Sequence, residues 1–114
     1  MDLDCLFCEI VKGNIPSKKL YEDEQCVAFY DINPMAPVHF LVVPKAHIAC
    51  ADEITQENSP VVAHIFCVIA KLAKEQGLCD GYRIVNNCKE NAGQTVRHLH
   101  FHVLGGGPLS LQMA

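Results

Sequence analysis

The chain has 114 residues, half of them apolar, and a formal net charge of −4. This length suits a single domain over residues 1–114, with enough apolar side chains for one core. The negative charge argues against a nucleic-acid backbone as the partner, because such a partner normally requires a basic face. No apolar run approaches the ~20 residues of a membrane-crossing helix, so no membrane partner is expected.

The cysteine content favours a reducing compartment. There are seven cysteines, an odd number, and the beginning MDLDCLFC has neither the basic nor the apolar region of a secretory leader. We therefore expect a cytoplasmic protein, in which clustered cysteines more often bind metal or fill the core than form disulfides. Five scattered cysteines are expected to be small buried hydrophobes or incidental thiols: Cys26, Cys50, Cys67, Cys79 and Cys88.

The first half of the chain predicts a short helix followed by three strands. Apolar residues at helical spacing, followed by Gly13, predict a helix over residues 4–12. A turn follows, and β-rich runs then predict strands at 20–22, 25–30 and 39–44. The intervening residues 31–38 contain two prolines and must form a loop.

The second half predicts one long helix and two strands. Ser59 is a natural N-cap, Pro60 suits the first helical position and Gly77 suits the position after a helix over 59–76. Its predicted apolar stripe comprises Val62, Ile65, Phe66, Ile69, Leu72 and Ala73. Strands at 82–87 and 97–104 flank a polar loop. These elements predict the α+β class, as a five-stranded meandering antiparallel sheet with both helices packed on one face.

The stretch VRHLHFHVL, residues 96–104, places three histidines at every second position of the last strand. His98, His100 and His102 then share one face, and the apolar residues between them share the other. A solvated face rich in histidine is the alternative, but three at period two disfavour it. The outer histidines are ~13 Å apart along a strand, which strains a single tetrahedral metal centre. The pattern favours anion chemistry, in which a neutral imidazole attacks and a protonated one steadies charge.

The loop before this strand supplies anion-binding groups. NAGQTV, residues 91–96, offers Gly93 for close backbone approach and the side chains of Gln94 and Thr95 as donors. Donors beside paired imidazoles suit a phosphoryl group whose transition state gathers charge.

HLHFHVL and the preceding GQTV resemble the histidine triad (HIT) superfamily. The resemblance extends through residues 21–48 and 81–87, and LGG at 104–106 is similar to the Hint branch, the histidine triad nucleotide-binding proteins. It implies a HIT-like fold, a homodimer, and hydrolysis or transfer of nucleoside monophosphates. A purine nucleoside phosphoramidate would be the substrate, and AMP or GMP the product.

The resemblance also implies roles for individual residues. His100 would be the nucleophile that carries the nucleotidyl group, and His102 would contact the phosphate. His98 and His39 would complete the polar setting. Asp31 would accept both ribose hydroxyls. The remaining nucleotide-binding residues would be Asn87, Gly93, Gln94 and Thr95 near the phosphate, and Phe7, Ile10, Phe29, Ile32 and Leu41 around the base.

Cys5 and Cys8 form a C-x-x-C pair that predicts a structural zinc site. Two more ligands are needed, and His47 and His98 supply a Cys2His2 set. The resemblance supports this prediction, because some bacterial triad proteins bind zinc through these positions. Bound to zinc, His98 could not act as an acid and would instead hold the strand beside His100. A redox C-x-x-C is disfavoured, since no thioredoxin-like βαβ pattern surrounds it.

The sequence leaves two other functions open. GQTV is also similar to dinucleoside polyphosphate hydrolases of the neighbouring Fhit branch, although LGG is not. A nucleotide-binding regulatory module with negligible turnover is the other alternative, but it would not need the nucleophile. The tail departs from many Hint proteins at Gly107, where they carry a basic residue, which leaves the leaving group open. His64 lies outside the helix stripe and is expected to face solvent or a second subunit, with no catalytic role.

Overall fold

The computed structural model describes residues 5–113, which form a five-stranded antiparallel sheet and two α-helices. The helices are α1 (Leu6–Val11) and α2 (Ser59–Glu75), and the strands are β1 (Lys19–Glu22), β2 (Cys26–Tyr30), β3 (Val38–Pro44), β4 (Tyr82–Val85) and β5 (Phe101–Gly105). The predicted α+β class, the five strands and the two helices are confirmed. The predicted start of the first helix, at residue 4, lies outside the described residues. No helix within residues 5–113 is long and apolar enough to cross a membrane.

The strand order is β1-β2-β3-β5-β4, which departs from a simple meander at one point. The chain leaves β3, forms α2 on one face of the sheet and returns at the outer strand β4. The last strand, β5, then fills the space between β3 and β4 and pairs antiparallel with both. His102 consequently lies beside Leu41 of β3 and Val85 of β4, in the interior of the sheet.

The two helices pack on opposite faces of the sheet, so the prediction that they share one face was wrong. Residues 26 and 28 of β2, with 40 and 42 of β3, join the cluster beneath α2. Their alternate neighbours, at 27, 29, 41 and 43, join the cluster that contains Phe7 and Ile10 of α1. The reason is that β2 and β3 are almost continuously apolar, a pattern typical of strands that are covered on both faces.

The long helix follows its prediction closely. Its buried side chains are Ile65, Val68, Ile69, Leu72 and Ala73. Phe66, which the predicted stripe included, is 43% exposed, although its ring packs edge-on against Phe101. The N-cap position is occupied by Asn58, whereas Ser59, the predicted N-cap, is the first helical residue. Gly77 has a φ of +74°, the left-handed conformation that commonly follows a helix end.

The last strand begins at Phe101, later than the predicted residue 97. Residues 97–100 pair with neither neighbouring strand, and the N–H of Leu99 donates to the carbonyl of Ile48 at 2.6 Å. The predicted alternation nevertheless persists, because Leu99, Phe101 and Val103 are all buried in the cluster under α2. The three histidines between them therefore face the side of the sheet that α1 covers.

Candidate functional site

A cavity of about 530 Å³ lies on the α1 face of the sheet. Its lining comes from α1, residues 15–18, the end of β2 and the two residues after it, β3, the segment between β4 and β5, and β5 itself. Eleven of the predicted site residues line it: Phe7, Ile10, Phe29, Asp31, Ile32, Leu41, Asn87, Gly93, Thr95, His100 and His102. Ile32 is 91% exposed and stands at the mouth.

His100 is buried at the cavity, with one ring nitrogen committed to the main chain. Its Nδ1–H donates to the carbonyl oxygen of His98 at 2.7 Å. In the neutral ring the other nitrogen, Nε2, then carries a lone pair. Burial lowers the pKa of His100 below its ordinary value, against smaller opposing effects of that hydrogen bond and of Asp31. The imidazole is thus held in its neutral, nucleophilic form at neutral pH.

Two further contacts position His100. The ring of Phe7 meets it edge-on, with the ring centroids 4.9 Å apart. The Nδ2 group of Asn86 donates to the His100 carbonyl at 2.9 Å and ties this residue to the chain after β4. His100 is therefore held by a hydrogen bond from its ring, by the packing of Phe7 and by a hydrogen bond to its main chain.

His102 belongs to a chain of hydrogen bonds that runs through His39. The main-chain N–H of Met35 donates to Nδ1 of His39 at 3.1 Å, so the neutral His39 ring carries its proton on Nε2. That nitrogen lies 2.9 Å from Nδ1 of His102, which accepts the bond. His102 is left with its proton on Nε2. Burial, with the neighbouring His100 and His39, lowers the pKa of His102 to about 4, and burial likewise lowers that of His39.

Asp31 closes this chain at the edge of the cavity. Its Oδ2 lies 3.4 Å from Nε2 of His39 and 4.0 Å from Nδ1 of His102. Its Oδ1 accepts the main-chain N–H of Asn33 at 2.7 Å, a local turn that sets the orientation of the carboxylate. The carboxylate thus combines a structural bond with a position on the cavity wall.

Gln94 is not placed as a donor to the cavity, which corrects its predicted role. Its Nε2 group donates to the carbonyls of Ala49 and Val96, and its Oε1 accepts the N–H of Lys89 at 2.7 Å. The amide therefore serves to hold the loop, because loop carbonyls compete for its hydrogens. Gly93 beside it has a φ of +86°, and a Cβ there would meet no heavy atom within 4 Å. Its conformation, rather than crowding within the chain, explains the glycine.

His98 lies outside the cavity, in a cluster with Cys5, Cys8 and His47. The four ligand atoms lie within 4.8 Å of one another. Nδ1 of His98 is 3.3 Å from Sγ of Cys5, 3.4 Å from Sγ of Cys8 and 3.2 Å from Nδ1 of His47. Nδ1 of His47 is in turn 3.1 Å from Sγ of Cys8. Ligand atoms around a tetrahedral zinc ion are about 3.3 to 3.8 Å apart, so this set fits a zinc-sized ion.

The second ring nitrogen of His98 supports the same interpretation. Nε2–H donates to the carbonyl of Pro44 at 2.8 Å, which directs the lone pair of Nδ1 toward the two cysteines. A hydrogen bond to the outer nitrogen is the usual way in which a protein orients a metal-binding histidine. The residues present therefore fit the predicted Cys2His2 centre.

Several residues of the site could not be identified from the sequence. Asn86 and the N–H of Met35 act through single hydrogen bonds to distant residues, and only the fold brings them there. The unpredicted cavity residues are mostly apolar or local to one turn: Leu6, Ile15, Pro16, Ser17, Lys18, Tyr30 and Val96. His64, which was expected to face solvent or a second subunit, is half-buried and does not line the cavity. Its Nε2 lies 2.6 Å from Oδ2 of Asp23.

The fold and the paired cavity histidines define a protein of the histidine triad class. Residues 12–109 match the HIT domain family, and the chain belongs to that family. A HIT-like protein of Synechococcus elongatus is 44% identical over 110 residues, which cover 96% of each chain.

Solved structures of relatives share the whole architecture. A histidine triad protein from Clostridium difficile is 48% identical, with a TM-score of 0.93 and 96% of each chain covered. A HIT family hydrolase from Clostridium thermocellum is 43% identical, with a TM-score of 0.95 and 100% of each chain covered. A HIT family hydrolase from Legionella pneumophila is 42% identical, with a TM-score of 0.93, and the match covers 96% of this chain and 98% of that one.

Proposed function

We propose that the protein is a purine nucleoside phosphoramidate hydrolase that forms a covalent nucleotidyl-His100 intermediate. The observation that carries the proposal is the state of His100: a buried, neutral imidazole, with Nδ1–H bound to a carbonyl, on the wall of a cavity large enough for a nucleoside monophosphate. Membership of the HIT family and similarity to HIT family hydrolases agree with it.

The reaction has two steps that regenerate the enzyme. Nε2 of His100 attacks the α-phosphorus, the P–N bond to the amine breaks, and the amine leaves with the bonding electrons. The Nε2–H of neutral His102 donates a hydrogen bond to the phosphoryl oxygens, and the leaving amine takes a proton from solvent. Water next attacks phosphorus and releases a proton to solvent, while the bond from phosphorus to His100 breaks. AMP or GMP is released.

The surroundings suit both the charge and the nucleoside. The carbonyl of His98 stabilises the cationic ring formed when Nε2 of His100 bonds to phosphorus. Thr95 and Asn87 line the phosphate end, whereas Gln94 acts by holding the loop. We assign the base to the apolar wall, which comprises Phe7, Ile10, Phe29 and Leu41, with Ile32 at the mouth. Asp31 accepts the ribose hydroxyls, for which a carboxylate has two acceptor oxygens.

Turnover of a fluorogenic adenosine phosphoramidate tests this function. The wild-type protein should hydrolyse it, and His100→Asn should lower turnover by at least about a thousandfold while still binding AMP. Rapid-quench mass spectrometry should find one adenylyl group on the wild-type chain and none on His100→Asn. Activity that survives in His100→Asn would refute the covalent mechanism. Faster turnover of a diadenosine polyphosphate would instead assign the protein to that substrate class, and binding without any turnover would assign a regulatory module.

We also propose that the Cys5, Cys8, His47 and His98 centre binds a structural zinc ion. Zinc would cross-link the segments that carry these four residues. It would take no part in the hydrolysis, because the centre lies outside the cavity. Metal analysis of protein purified without chelator or affinity tag should find one zinc per chain. Purified protein that contains no zinc would contradict the proposal.

The chain is further proposed to act as a single-domain, cytoplasmic homodimer. The outer side of α2 supports the dimer, since Phe66 and Cys67 are exposed there. Exposed aromatic residues are more common at interfaces than on other surfaces. Sedimentation should give twice the chain mass of 12.6 kDa, and a monomer would contradict the assembly.

A further inference from the structure

We propose that the metal centre and the nucleotide cavity are energetically coupled, so that metal bound by Cys5, Cys8, His47 and His98 both orients His100 and completes the base-binding wall. The inference rests on the proposed function, and it gives the metal centre a regulatory role beyond cross-linking. Two separate paths connect the sites.

The first path runs through the main chain of His98. Its side chain belongs to the metal centre, and its carbonyl accepts the Nδ1–H of His100 at 2.7 Å. Residues 97–100 lie before β5 and receive no support from the sheet ladder. The segment is held by the bonds of Leu99 and Asn86, by the burial of Leu99 in the core and by the His98 side chain. Metal at Nδ1 of His98 therefore restrains the carbonyl that sets the tautomer of His100.

The second path runs through α1. This helix has only six residues, far fewer than an isolated helix needs for stability. Cys5 precedes it and its Sγ accepts the N–H of Cys8, so both thiols of the centre belong to its first turn. Phe7, between them, contacts the rings of His100 and Phe29, with centroid distances of 4.9 and 5.5 Å. Leu6, Phe7 and Ile10 line the cavity, so a metal that anchors α1 also anchors this wall.

Coupling between two binding sites is reciprocal by thermodynamic necessity. If metal strengthens nucleotide binding by some factor, nucleotide strengthens metal binding by the same factor. Coupling of this kind commonly amounts to about 5-fold to 150-fold. We expect AMP at saturation to raise the affinity for Zn²⁺ by about tenfold, a readout that needs no catalytic turnover.

The first experiment measures Zn²⁺ affinity of the full-length wild-type protein against a chromophoric chelator, with and without AMP. The expected result is a tenfold rise in affinity with AMP. The same measurement on Asp31→Asn, which keeps all four metal ligands, should need a higher AMP concentration for the same rise, whereas an effect of Zn²⁺ chelation by AMP itself would appear at the same concentration in both proteins. An unchanged affinity in the wild-type protein, when AMP binding is demonstrated directly, would overturn the inference.

The second experiment removes metal ligands that do not line the cavity. Cys8→Ser and His47→Gln should each weaken AMP binding by about tenfold and lower kcat. Cys79→Ser, at an exposed position after α2, and His64→Gln, beside Asp23, are the matched controls and should change neither quantity. Urea unfolding and circular dichroism establish that each variant is folded under assay conditions. Folded ligand variants with wild-type AMP affinity and kcat would overturn the inference.

The outcomes also separate this inference from the proposed function. Protein that binds AMP with metal-dependent affinity but hydrolyses no phosphoramidate supports the coupling and refutes the hydrolase. Protein that hydrolyses the substrate equally well with and without metal supports the hydrolase and refutes the coupling. Protein that binds no AMP overturns both.

Discussion

Nε2 of His39 lies 2.9 Å from Nδ1 of His102, and the N–H of Met35 occupies the opposite nitrogen of His39. A main-chain amide thus determines, through one intervening ring, which nitrogen of His102 carries the proton. His39 does not line the cavity, so it acts by positioning rather than by contact with a substrate. The same pair determines what removal of His39 should do.

We expect His39→Ala to lower kcat by about a hundredfold, the low end of what loss of one hydrogen-bond donor to the transition state costs. The cause is loss of the donor to Nδ1 of His102, which frees the ring to take either tautomer. His39→Gln should recover part of the loss, since an amide N–H can replace that donor. Steady-state kinetics measure both variants, and AMP affinity serves as the check on folding. Equal kcat for the alanine and glutamine variants would argue against tautomer control.

Asp31→Asn should reduce discrimination between ribose and deoxyribose nucleotides. The asparagine Oδ1 can still accept the N–H of Asn33, so the turn is preserved, but one carboxylate acceptor and the charge are lost. We expect AMP binding to weaken by about tenfold or more, the cost of about one charge-assisted hydrogen bond. Binding of 2′-deoxyadenosine monophosphate should change much less. Calorimetric titration with both nucleotides measures the ratio, and equal losses would contradict the ribose contact.

Gly93→Ala should destabilise the loop that borders the cavity. An L-residue at a φ of +86° costs about 1 to 2 kcal/mol, although the added methyl group has space. Gly93→Asn should cost less, because asparagine adopts this conformation more readily. Urea unfolding gives the two free energies of unfolding. Equal values for the two variants would show that backbone conformation is not the reason for the glycine.

The stability of the protein should fall between pH 6.5 and pH 4 because of His102. The unfolded side chain gains its proton near pH 6.5, whereas burial lowers the pKa of the folded group to about 4. In that interval the unfolded state binds more protons, so the free energy of unfolding decreases as the pH falls. The difference corresponds to about 3 kcal/mol.

Urea unfolding at pH 7 and pH 4.5 checks this value, with His102→Asn as the control that lacks the titrating group. The wild-type protein should lose more stability than the variant over this interval. Parallel losses would assign the pH dependence to other groups.

Much of the fold was predictable because its signals are local. Pro60 and Gly77 mark the limits of α2, and alternation marks the two faces of the histidine strand. The late start of β5 was not predictable, since pairing depends on where β3 and β4 end. The position of α1 was mispredicted for a similar reason. β2 and β3 are apolar on both faces, and such strands do not reveal which face each helix covers.

The candidate site divides in the same way. Eleven of the cavity residues were predicted from the motifs and the family resemblance, and alternation in the sequence identified the three histidines. Gln94 was misassigned because its donors are taken by the carbonyls of Ala49 and Val96, one of them 45 positions away along the chain.

The sequence by itself determined that His98, His100 and His102 share a face, because side-chain direction along an extended chain alternates from residue to residue. Only the tertiary structure decided that the three differ. His98 meets Cys5, 93 positions away, and His102 meets His39, 63 positions away, while His100 keeps an unprotonated ring nitrogen at the cavity. The physical reason is that a local pattern sets direction, whereas the partner of each imidazole depends on packing between distant segments.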